Sequence, residues 1–274
     1  MKKIAVVGMG IIGGSICAAL TKAGYIVDGF DRNDWAVKCA LELGYIHKKA
    51  ENLADYDVVF IAVPVSATLD YLENGEFKNG ALVMDICGVK SAVEEAVYAK
   101  ERNYRYVGLH PMAGKETSGI HSATSELFKK ANLIICISSY TSAEDLAQAK
   151  EFATAMRFGK IMECSAKEHD AKIALTSQLA HIVSNAYVKS GQVPRCEGFT
   201  GGSFQDMTRI AGVDEKMWTE LYMNNRDFLL EELDGLIAHL NVYRDAIAEG
   251  DAGALSDALR EGRLIRENIK HGKD

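Results

Sequence analysis

Apolar positions along the chain fall into two regimes that change near Cys164. Before it, they gather in short, nearly unbroken runs, 3–7, 25–30, 57–63, 80–85, 104–109, 131–138 and 160–164, spaced by segments with helical periodicity such as 15–23, 91–101 and 143–157. Runs this short and continuous are what strands covered on both faces look like, and their alternation with helices predicts a doubly wound sheet. From Ser165 onward only helical periodicity remains. Ser165 and Glu168 have the spacing of a capping box, opening a helix expected to run to about Ser190, where Gly191 and Pro194 stop it. Residues 214–249 read as one long helix and 251–270 as another. The division predicted is an α/β dinucleotide-binding domain over 1–164 and an all-α domain over 165–274.

The first run is followed by Gly8-Met-Gly10-Ile-Ile-Gly13 and then by a helical pattern. Strand, glycine turn and helix in this order form the dinucleotide fingerprint. The first glycine permits the turn, the second lets backbone approach a pyrophosphate, and the third lets the helix pack on the strand. Gly8, Gly10, Ile11, Ile12 and Gly13 are therefore cofactor-binding candidates, joined by Val63 and Pro64 at the end of the third run. The second run ends at Asp31, at the offset where a carboxylate accepts the ribose hydroxyls of NAD. Asp31 would repel a ribose phosphate, which favours NAD over NADP, whereas the neighbouring Arg32 is the residue a phosphate-tolerant site would use.

The run at 104–109 leads into His110-Pro-Met-Ala-Gly114, placing an imidazole where a strand gives way to a loop. Ligands of open α/β sheets sit outside the carboxyl ends of the strands, so His110 is either the catalytic group or a simple turn residue before proline. In the helical half, Asp170, Ser177 and His181 fall on one face at about 100° per residue, either as a pocket stripe or as an exposed edge. Arg209 could fork onto a substrate carboxylate or pair with Asp206 at the surface. Leu229, Leu233, Leu236, Leu240, Tyr243 and Ile247 make a narrow apolar seam, suited to internal core or to a subunit contact; a homodimer through the helical domain is expected.

Composition removes other classes. Among 274 residues the formal charge is −7, with no dense Lys/Arg cluster, so nucleic acid is not an expected partner. Six scattered cysteines form no C-x-x-C pair, which argues against a zinc knuckle or a secreted disulfide scaffold, and no metal site is expected. No apolar run reaches the ~18 residues of a membrane span, and a cytoplasmic protein is expected.

Taken together, the glycine fingerprint, His110-Pro-Met-Ala-Gly114, Ser177-Gln-Leu-Ala-His181 and the block 201–211 followed by Trp218 resemble the prephenate/arogenate dehydrogenase family of tyrosine biosynthesis, over essentially the whole chain. The resemblance implies a Rossmann-type first domain and NAD-dependent oxidative decarboxylation of prephenate to 4-hydroxyphenylpyruvate. The alternatives are arogenate or dual-specificity cyclohexadienyl dehydrogenase activity. It implies His110 as the catalytic base, Arg209 as the carboxylate-binding group, His181 near the substrate side chain, Asp170, Gly202 and Trp218 as pocket residues, and Glu116 at a gating position. Two departures stand out. Gly88 occupies the place of a serine found beside the ring hydroxyl in many relatives, leaving Cys87 or a water to replace that hydroxyl. Gln178 and Ala180 stand where relatives often carry His and Pro. Another two-domain dehydrogenase, or a nicotinamide-binding module without turnover, are the rival readings.

Overall fold

The computed structural model describes residues 2–114 and 117–269. Seven strands form one sheet: β1 (Ile4–Val7), β2 (Val27–Phe30), β3 (Val58–Ile61), β4 (Leu82–Asp85), β5 (Arg105–Met112), β6 (Asn132–Cys136) and β7 (Lys160–Cys164), in the order β2-β1-β3-β4-β5-β6-β7. The helices of this part are α1 (Ile11–Lys22), α2 (Asp34–Glu42), α3 (Val65–Asn74), α4 (Ser91–Tyr98) and α5 (Ala143–Ala155). Strands β1, β3 and β4 are buried along their whole length, with one apolar cluster on each face of the sheet, which is why their sequences do not alternate. The doubly wound α/β expectation is met.

Strict alternation fails at one point. β6 runs antiparallel to β5, because the described residues between them form no crossover helix. It instead lays a short 3-10 turn, Ile120–Ser122, against α1. Gly14 makes this approach possible, since a Cβ there would lie 2.5 Å from Ile120 and 2.9 Å from Ala123. The segment leaving His110 is thereby fastened to the helix that starts the nucleotide fingerprint, and Ser15 Oγ accepts from the Thr124 amide at 3.0 Å.

In the second half the expected helix 165–190 is interrupted. α6 (Ala166–Ile173) and α7 (Ala180–Tyr187) flank a π-helical turn at Ala174–Leu179. A π turn inserts an extra residue per turn, so it rotates the downstream face and breaks the predicted stripe. Asp170 and Gln178 enter the interior, while Ser177 and His181 stay half-buried. Ser165 does cap α6 by accepting from the Glu168 amide, but the Glu168 carboxylate takes Lys172, and the reciprocal capping box is found at Ser142 and Asp145 of α5.

α8 (Gly202–Thr208) and α9 (Glu215–Met223) follow, then α10 (Arg226–Glu249) and α11 (Ala252–Asn268). The long helix expected over 214–249 is thus two, broken at Asn224 and Asn225. Asn225 is buried and donates to Asp170 O at 2.9 Å and Gln178 Oε1 at 2.7 Å, bonds that a continuous helix surface would not direct inward. The chain divides into two compact units after Asn225. In the second, α10 and α11 pack on each other, with Tyr243 Oη donating to Ala258 O at 3.3 Å. No helix among the described residues is long and apolar enough to cross a membrane.

Candidate active site

The glycine turn between β1 and α1 has the shape a dinucleotide needs. Gly8 adopts φ +97°, and a Cβ on it would lie 2.2 Å from Ala62 O, while one on Gly13 would lie 1.8 Å from Gly8 O. Gly10, by contrast, faces open space with nothing within 4 Å, which leaves its backbone approachable. It caps α1 without a side-chain bond, and no acidic residue sits in the first turn, so the N–H groups at Ile11 and Ile12 point toward an anion position. Asp31 is held at the tip of β2 by the amides of Met9 (2.7 Å) and Asn33 (2.8 Å), and Arg32 beside it is exposed. Val63, just after β3, lies against the turn, its Cγ1 2.9 Å from where a Gly8 Cβ would be, and Pro64 caps the start of α3. These donors, this acceptor and the open glycine suit NAD.

His110 lies on β5, two pairs from its end, and its Nδ1 is 2.8 Å from His169 Nε2. His169 Nδ1 in turn is 2.7 Å from Asp170 Oδ1. Asp170 is buried and also accepts from the amides of Lys90 (2.8 Å) and Ser91 (2.7 Å), the first residues of the α4 N-terminus. Burial alone would raise the Asp170 pKa; its bonds to His169 and to Ser91 outweigh that, so the carboxyl titrates below its ordinary value. An ionised Asp170 can only accept, which fixes the proton directions along the line. His169 Nδ1 must donate to it, so a neutral His169 accepts at Nε2 from His110 Nδ1–H. His110 Nε2 is then a lone pair.

That lone pair faces Gly88. A Cβ built on Gly88 lies 3.8 Å from His110 Nε2 and 3.2 Å from Leu221 of α9. Cys87 does not supply the missing hydroxyl, since its thiol lies 3.3 Å from Thr68 Oγ1 and 4.0 Å from Val63 O; burial pushes that thiol up to about 12. Burial, then the neighbouring His169 and Lys90, hold the His110 pKa well below its ordinary value. His169 is lowered too, chiefly by burial, although its bond to Asp170 opposes the shift. His110 is therefore an uncharged base at neutral pH.

The remaining candidates lie on the helices. The His181 ring lies 3.9 Å from that of Trp218, centroid to centroid, and its Nδ1 donates to Ser177 O at 2.9 Å, leaving Nε2 as the acceptor of a neutral ring. Gly202 begins α8 and Arg209 ends it, both exposed. Asp170 meets His110 only through His169. Glu116 lies outside the described residues. Sequence reasoning missed His169, Lys90, Leu221 and Asn225, and named Gln178 only as a departure from relatives. One signal was available for His169: it adjoins Asp170 in a helix whose apolar positions leave both on the covered side.

Residues 16–161 match the nucleotide-binding domain of prephenate dehydrogenase, and residues 165–261 match that enzyme's dimerization domain. The prephenate dehydrogenase of Lactococcus lactis is 30% identical over 285 aligned residues, covering 98% of this chain and 78% of the relative. Among solved structures, the prephenate dehydrogenase of A. aeolicus in complex with hydroxyphenyl propionate and NAD+ superposes with a TM-score of 0.84 at 26% identity, over 98% of this chain and 99% of that one. The Synechocystis arogenate dehydrogenase superposes with a TM-score of 0.82 at 26% identity, over 97% and 99%. Sequence relationship along both halves, together with the nucleotide turn and the His110 site, establishes that the chain belongs to the prephenate dehydrogenase family of NAD-dependent oxidoreductases.

Proposed function

We propose that the protein oxidatively decarboxylates prephenate to 4-hydroxyphenylpyruvate in tyrosine biosynthesis, with NAD as hydride acceptor. The observation that carries this reading is the line Asp170–His169–His110, which leaves an uncharged acceptor, His110 Nε2, facing the space beside Gly88. The ring hydroxyl of the substrate gives its proton to Nε2 as hydride leaves the same carbon. The bond to the ring carboxylate breaks, carbon dioxide departs, the electron pair of that bond completes the aromatic ring as a phenolate, and His110 returns its proton to the phenolate oxygen. The glycine turn, Asp31, Val63 and Pro64 would hold NAD, which would supply the hydride acceptor. Aromatisation supplies much of the driving force, so the protein's part is orientation, one proton acceptor and a grip on carboxylates.

In this reading Arg209 binds a substrate carboxylate, His181 and Trp218 border the substrate side chain together with Gly202, and Glu116 gates the pocket. Residues 1–164 serve as the dinucleotide-binding domain and 165–274 as the substrate and dimerisation domain. Leu240 and Ile247 are 56% and 65% exposed on α10, as is Leu259 (58%) on α11, apolar surface that a second copy would cover in a cytoplasmic homodimer. Arogenate is the second reading, supported by the similarity to the Synechocystis enzyme, whose name carries that substrate.

The test is formation of reduced cofactor by the purified protein with prephenate and arogenate, each with NAD and with NADP. Turnover of prephenate with NAD is expected to dominate. Preference for arogenate would replace the first reading by the second, and silence in all four, with NAD still bound, would overturn both.

A further inference from the structure

Tyr106, Gly108 and His110 share one face of β5, because strand side chains alternate. Gly108 has no side chain to cover that face, and the stem of Lys90 occupies the space, its Cδ 3.1 Å from where a Gly108 Cβ would be. Lys90 is 1% exposed, and its ammonium donates to Asp85 Oδ1 at 2.5 Å, Asp85 being fully buried. Asp85 also accepts from Tyr106 Oη at 2.5 Å and from the Cys87 amide at 2.8 Å. A buried ion pair costs more in desolvation than an apolar pair of the same size, so structure alone gives little reason for it here. Its surroundings give one. The pair lies at the foot of the catalytic line, and the Lys90 backbone amide anchors Asp170.

We propose that Lys90 is a positioning residue for His110: its stem, seated over Gly108 on the same face of β5, carries a buried ammonium that keeps the imidazole uncharged and thus available as a proton acceptor in mildly acidic solution. The groups around His110 that bear on its charge are His169 and Asp170 from α6, Lys90 with Asp85 and Tyr106 behind it, and Cys136 on β6 opposite Gly108; α9 brings the apolar Leu221 to Gly88. At His169, Asp170 and Asp85 favour a cationic imidazole and Lys90 opposes it; at His110, Lys90 opposes it as well. The inference rests on His110 being the proton acceptor.

The experiment is a 15N titration of the imidazoles in the protein without substrate, beside the pH profile of kcat/KM. Lys90→Met alone leaves Asp85 buried without its cation and can fail to fold, so the decisive variant is the double replacement Asp85→Asn/Lys90→Met, which removes both charges. The His110 imidazole is expected to protonate on the order of one pH unit higher than in the wild type, and the acidic limb of kcat/KM to move up with it. A folded double variant whose His110 titrates as in the wild type would overturn the proposal. If the titration moves and the acidic limb does not, His110 is not the proton acceptor, and the reading beneath the proposal fails instead.

Discussion

Asp170→Asn is the perturbation that reaches furthest into the site while changing least of its shape. In the wild type the two carboxylate oxygens accept three charge-assisted bonds, from His169 Nδ1, Lys90 N and Ser91 N, at 2.7 to 2.8 Å. An asparagine keeps one accepting oxygen and turns an amide donor toward a donor, whichever way it is placed. If the amide nitrogen meets Ser91 N, His169 keeps its tautomer but loses the negative charge that balances the imidazolium formed as His110 accepts a proton. If it meets His169, the tautomers reverse along the line and His110 Nε2 carries a proton before the reaction starts. The charge-assisted bond to His169 is worth about 1.5–3 kcal/mol, and each 1.4 kcal/mol is tenfold in rate, so kcat should fall about 10- to 100-fold, and further if the tautomers reverse. The donor pair also costs about 1–3 kcal/mol of stability. Steady-state kinetics with NAD and substrate, with urea unfolding as the control for folding, reads both. A folded variant with kcat within about threefold of the wild type would refute the orientation argument.

Two further outcomes are expected. Arg209→Gln should raise the substrate KM at least ~30-fold, from about 2–5 kcal/mol of lost carboxylate binding, with NAD affinity unchanged; an unchanged KM would make Arg209 a structural residue. Stability should also depend on pH in a definite direction. Because the folded-state pKa values of His110 and His169 are depressed, the unfolded chain takes up protons first as pH falls below about 6.5, and stability is lost from there downward by as much as about 1.4 kcal/mol per unit for each histidine. Urea unfolding at pH 7.5 and 5.5 should differ by about 1–3 kcal/mol, and a flat response would show that the two histidines take up protons in the folded protein as readily as in the unfolded chain.

Much of this was legible because it is local. β1, β3 and β4 are buried along their whole length and read as unbroken apolar runs, and the glycine turn is written in consecutive residues, with Asp31 at a fixed offset. His110 was legible for the same reason, at the end of an apolar run before proline. What escaped reading depends on contacts between distant segments. His169 matters because α6 brings it to His110 on β5, and Lys90 because Gly108, 18 positions later, leaves it room. The π turn at Ala174–Leu179 changes which residues share a face without any glycine or proline to announce it, and the break at Asn225 exists because Asp170 and Gln178 bond its side chain. The antiparallel β6 follows from where the chain after His110 is fastened, which only the fit of Ile120 over Gly14 reveals.

The most direct test of the account is His110→Asn, with NAD binding measured by fluorescence titration beside turnover. An asparagine can hold the Nδ1-side bond to His169 but offers no basic nitrogen at Nε2. The account predicts NAD affinity within a fewfold of the wild type and kcat lowered by at least ~100-fold. Near-normal turnover by a folded His110→Asn protein would contradict it.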